Sequence, residues 1–280
     1  MSVYVEQLQT TFETMRRRGL VVYDAAAHAI AYFDKMRKKL PKEIKNLLKN
    51  DTLKSVYSDV FDKKSLDANN RNRRIALQEL YFGIAVIVMG MCAGEMTGVL
   101  WSASILSAVF DPIIEMVLVV LMPIYTYLHL KNGAAYDAID RRAWLFAVVF
   151  ATCVPIGNLF GARLLTTNLS LFFVPPLIIA LLIDVELSPI TLYKTRKAFL
   201  AAVVGASLVC WQSLALIFGT ASVAGLIVSA LHGALIAVHF QVMEPRIDDG
   251  RIGKNEAQLL YVIGAFLIHV PVALIFGSLK

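Results

Sequence analysis

Five carboxylates and three histidines stand inside or beside long apolar stretches, and their types and spacing could do chemistry. The carboxylates are Glu95, Asp111, Glu115, Asp184 and Glu186. Charge is expensive inside a bilayer, so each such residue marks a partner or a function. Asp111 and Glu115 are four apart, which on a helix is one shared face. Such a pair binds a cation or holds a proton, or else pairs with Arg163 or reaches water at a span end. Asp184 and Glu186 are two apart, on different faces, and salt bridging to Lys194 or Arg196 is their expected use. His232 and His239, seven apart, share a face, and His269 lies on the next apolar stretch. Histidines together could ligate a metal, but no cysteine or carboxylate stands at matching spacing. Hydrogen-bonded core histidines are expected, with no metal or other cofactor. Asp111, Glu115, Asp184, His239 and His269 are the candidates for an ion path or a pH sensor.

The elements that must position these residues are helices in lipid. Hydrophobic residues make up 58% of the 280, with mean hydropathy +0.64, more than a soluble core of this size requires. Apolar runs long enough to cross a bilayer fall at about 78–98, 103–128, 143–163, 169–192, 198–219, 221–243 and 257–278. Backbone polar groups there must be satisfied within helices. The expected fold is an all-α integral membrane protein, a seven-transmembrane-helix bundle over 78–280 with an N-terminal amphipathic helical extension over 1–77. In that extension Leu20, Val21, Tyr23, Ala27, Ile30 and Ala31, then Ile44, Leu47, Leu48, Leu53 and Val56, recur at helical spacing. Asp67 to Arg74 reads as a polar linker. No cleavable signal stands out, because Asp24 and His28 interrupt the run after Arg16, Arg17 and Arg18.

Short loops force neighbouring spans antiparallel. With the head inside, that side carries Lys131, Arg141, Arg142, Lys194, Arg196, Lys197, Arg246, Arg251 and Lys254, and the other only Arg163 and Lys280. Seven spans therefore satisfy the positive-inside rule, with Arg141, Arg142, Lys194, Arg196 and Lys197 as orienting residues. The net charge of +6 thus belongs to the membrane surface rather than to nucleic acid. Gly90, Gly94 and Gly98 form a small-residue stripe; Gly157 with Gly161, and Gly225 with Ser229 and Gly233, form two more. Such stripes let helix backbones approach closely in lipid. Cys92, Cys153 and Cys210 lie in apolar spans and read as small hydrophobes.

The segments Phe61–Leu66, Leu187–Lys197 and His239–Met243, on a seven-span plan with an inside N-terminus, together resemble the Bax-inhibitor family over roughly residues 58–280. The resemblance implies a calcium and proton leak governed by an acid pair on the last two spans. This chain departs there: His239 takes the place of the first acid, and Gly264 to His269 includes none. Hard cations need oxygen ligands, which neutral imidazoles do not supply. The expected function is therefore a non-catalytic accessory subunit of a larger membrane complex, with the bilayer and other subunits as partners. A pH-sensitive cation leak channel is the alternative. A third reading takes Gly205-Ala206-Ser207 as the Gly-x-Ser of an intramembrane serine protease, which requires a histidine at Ser207. No nucleotide or metalloprotease motif is present. Basic, arginine-containing head segments favour the mitochondrial inner membrane over the endoplasmic reticulum.

Overall fold

The computed structural model describes residues 58, 60, 66, 70–102, 111–131, 138–167, 171–184, 195–248, 250 and 252–276. The chain divides into two compact units, Met1–Ser58 and Asp59–Lys280. The amphipathic segments expected over 1–57, together with Glu186, Pro189 and Lys194, lie outside the described residues. Every described element is helical: α1 Arg71–Thr97, α2 Pro112–Lys131, α3 Ala138–Thr167, α4 Val174–Ile183, α5 Arg196–Ile217, α6 Val223–Asp248 and α7 Lys254–Phe276.

Local chemistry sets several helix ends. The Asn70 side chain accepts from the Arg73 amide at 3.1 Å, so the first turn of α1 is capped there. Arg71 to Arg74 are thus helical rather than linker, a correction to the sequence reading. Pro112 opens α2, where no amide donor is needed, and the Asp111 side chain accepts from the Ile113 amide at 2.8 Å. Pro175 and Pro176 open α4 in the same way. Pro123, Pro155, Pro245 and Pro271 lie inside helices, where each removes an amide donor.

Side-chain contacts give the helix directions. Gly90 meets Phe146, and Gly98 meets Val154 and Asn158, so α1 and α3 run parallel. Gln212 reaches Ser229 while Val204 meets Gly233, so α5 and α6 run antiparallel. Leu235 meets Gly264 and His239 meets the Ala257 carbonyl, so α6 and α7 are antiparallel too. Chain neighbours therefore alternate in direction. The core lies along α1, where Leu77, Leu80, Tyr81, Ile84, Val88 and Met91 are buried. A Cβ on Gly94, Gly98 or Gly157 would strike the backbone of the facing helix, so this stripe packs α1 on α3 within the chain. Gly225 and Ser229 face Gln212, and Gly233 faces Val204, which joins α6 to α5. Gly161 lies on α3, and its surroundings are outside the described residues.

Among the described residues five helices are long and apolar enough to cross a membrane: α1, α3, α5, α6 and α7; the apolar part of α2, Pro112–Tyr127, and α4 are shorter. Large apolar side chains face outward, including Ile113 and Val120 on α2, Ile217 (76% exposed) on α5, Val223 on α6 and Leu267 on α7. So much exposed apolar surface is disfavoured in water and suits lipid.

Candidate functional site

A column of buried polar side chains runs down the bundle, beginning at the end where α1 starts. There Glu244 of α6 receives two arginines. The Arg196 guanidinium donates at 2.8 Å, and Arg73 donates to the other carboxylate oxygen. Glu244 and Arg196 are almost fully buried, so the carboxylate and the two cations offset one another's desolvation. Arg74, 1% exposed, caps the end of α4 by donating to the carbonyls of Ile183 at 2.9 Å and Asp184 at 2.8 Å. Gln78, one turn deeper, donates to the Asp184 carboxylate at 2.5 Å. At the same end, Glu79 accepts from Lys254 at 2.8 Å and lies 4.0 Å from Arg142. The starts of α1, α3, α5 and α7 and the ends of α4 and α6 are thereby gathered together, with Arg142, Arg196 and Lys254 among them.

Deeper in, the Tyr81 hydroxyl and His239 Nδ1 are 3.1 Å apart, and His239 Nε2 lies 2.9 Å from the Ala257 carbonyl. In the neutral Nε2–H form, His239 donates to the carbonyl and accepts from Tyr81, so both ring nitrogens are satisfied. Tyr261 meets this imidazole edge-on at 5.3 Å. Two turns along α6, His232 Nδ1 lies 2.9 Å from the Val228 carbonyl. The Phe172 ring stacks on His232 at 4.8 Å and stands edge-on to His269 at 4.4 Å. His269 Nε2 of α7 then faces Glu95 Oε1 of α1 at 3.5 Å. Last in the column, Asn158 of α3 donates to both Glu115 oxygens at 2.9 and 3.0 Å. Gly157, beside Asn158, lies against the Glu95 backbone.

The structure sorts the candidate residues differently from their spacing. Asp111 and Glu115 do not form an acid pair. Asp111 is exposed and serves as a cap outside the helical repeat, while Glu115 is buried against Asn158. Asp184 is engaged by Gln78, and Arg196 is bonded to Glu244. His269 joins His232 around Phe172, whereas His239 belongs with Tyr81 and Tyr261. Among the described residues no three of His, Cys, Asp and Glu are grouped to hold a metal ion. Ser207 is buried and its hydroxyl has no hydrogen-bond partner among the described residues, so the Ser–His bond a protease needs is not formed there. Cys92, Cys153 and Cys210 form no disulfide among the described residues. Lys197 is exposed, and the Arg141 side chain is outside the described residues.

Spacing alone missed Arg73, Arg74, Tyr81, Asn158 and Glu244. Glu244 closes an apolar span immediately before Pro245, and an acid at that depth was the available signal. Within the last span there is no acid, yet Glu95 of the first span supplies one to His269. No family model, curated protein or solved structure matches this chain, so these residues and their geometry carry the functional reading.

Proposed function

We propose that this chain is a seven-span membrane protein of Bax-inhibitor-like plan that leaks protons or small cations in a pH-dependent manner. The observation that supports this is the buried Glu95–His269 pair, with the buried His232 and His239 on the neighbouring helix α6. Ionisable groups at membrane depth are retained where they line a pathway or hold a proton. An imidazole beside a carboxylate supplies a donor and an acceptor between which a proton can pass. In liposomes with an imposed pH gradient, the wild-type protein should dissipate the gradient faster than empty liposomes. Glu95→Gln and His269→Phe should each slow it by about tenfold or more. A wild-type rate equal to that of empty liposomes, or equal rates for all three proteins, would end the proposal.

A second reading, accessory subunit of a larger membrane complex, draws on α1. Its Ile75, Phe82, Val86, Met89 and Met96, and Leu100 in the turn that continues it, recur at three, four and seven along one outward face. That spacing suits a packed partner helix as well as lipid. Gentle-detergent extraction should then yield a stoichiometric partner; recovery of this chain alone would remove this reading. The basic head segments support a mitochondrial inner-membrane location, with the endoplasmic reticulum as the alternative.

A further inference from the structure

Between α5 and α6 three buried polar atoms lack a hydrogen-bond partner among the described residues: Ser207 Oγ, Trp211 Nε1 and His232 Nε2. Their residues are 1%, 1% and 0% exposed. Leaving such groups unsatisfied is costly, so three in one place call for a shared partner.

The three residues belong to one place. Ser207 and Trp211 are one turn apart on α5 and share its inward face. The contacts Gln212 to Ser229 and Val204 to Gly233 set the antiparallel register, which brings Ser207 level with His232. The Trp211 and His232 rings lie 5.6 Å apart, centre to centre. Phe172 packs on both rings, at 4.8 Å from His232 and 5.8 Å from Trp211, and closes the site with an apolar wall.

The atoms also complement one another. Trp211 Nε1–H only donates. His232 uses Nδ1–H on the Val228 carbonyl at 2.9 Å, which leaves Nε2 as an acceptor. The Ser207 hydroxyl both donates and accepts. We infer that Ser207, Trp211 and His232 bind one ordered water molecule, which accepts from the indole, donates to the imidazole and exchanges a bond with the hydroxyl. Three partners are the usual complement of a buried water. The site stands on its own geometry and does not depend on whether ions cross the bundle.

The test is magnetisation transfer from water to the indole proton of Trp211, measured on ¹⁵N-tryptophan-labelled full-length protein in lipid nanodiscs. Trp211→Phe identifies the signal; a Trp101→Phe, Trp144→Phe double variant, which leaves one indole, serves if that protein does not fold. A downfield indole proton with a cross-peak to long-lived water is expected. His232→Phe should abolish the cross-peak by removing the acceptor, and Ser207→Val should abolish it by occupying the water's space. Absence of the cross-peak in the wild type, a direct scalar coupling from the indole proton to His232 Nε2, or persistence of the cross-peak in both variants would each overturn the inference.

Discussion

Replacing Glu244 with alanine will destabilise the folded bundle by about 3–5 kcal/mol, the cost of breaking a buried ion pair from one side. Arg73 and Arg196 both donate to this carboxylate, and the Glu244 and Arg196 side chains are each only 5% exposed. Without the carboxylate, the buried Arg196 guanidinium loses an ion-pair partner and keeps a like charge, Arg73, nearby. The damage is also structural, because Glu244 ties the end of α6 to the starts of α1 and α5. Thermal unfolding in mild detergent should show a midpoint lower by on the order of 10 °C. Two comparisons isolate the cause. Arg142→Ala removes a half-exposed cation 4.0 Å from a half-exposed Glu79 and should change stability by about 0.5 kcal/mol or less. Replacing Arg73, Glu244 and Arg196 together by leucine should recover part of the loss, since the three charges that meet here are removed at once. A Glu244→Ala protein that melts with the wild type would show that the cluster does not hold these helices together.

Gly157→Ala will separate α1 from α3 and cost about 1–3 kcal/mol or more, although it adds a single methyl group. The new Cβ would strike the backbone carbonyl, carbonyl carbon and Cα of Glu95. Backbone cannot swing aside as a long side chain can, so the helices must move apart. That movement would also disturb Glu95 against His269 and Asn158 against Glu115, one residue further along. Gly205→Ala is the matched control: it lies inside α5 with nothing within 4 Å of the added atom. It should be neutral or stabilising by about 0.5–1 kcal/mol, because alanine favours the helix. Equal unfolding midpoints for the two variants would refute the proposed close packing of α1 on α3.

Much of the architecture was legible in the residues alone. Apolar runs separated by short polar segments specify helices, and their number and spacing specify alternating direction. The Gly90, Gly94 and Gly98 stripe announced close packing because three small residues at four-residue intervals must lie on one face. Which helix that stripe would meet was not legible, since several spans offered small residues.

The polar column shows the same division more sharply. Periodicity establishes which residues share a face of one helix, as His232 and His239 do at seven-residue spacing on α6. It does not establish how far that helix is rotated, or what stands opposite. Those depend on contacts between residues far apart in the chain, such as Arg73 and Glu244, 171 positions apart. Asp111 and Glu115 are four apart, yet Asp111 stands one residue before α2, exposed, and its side chain accepts from the Ile113 amide as a cap. By itself, the sequence determined that this chain forms apolar helices alternating in direction, with basic residues concentrated at alternate ends. Only the tertiary structure decided that Glu95 faces His269, that Glu244 receives two arginines, and that Ser207, Trp211 and His232 meet. Local repeat follows from backbone geometry, whereas partnership follows from packing of the whole bundle.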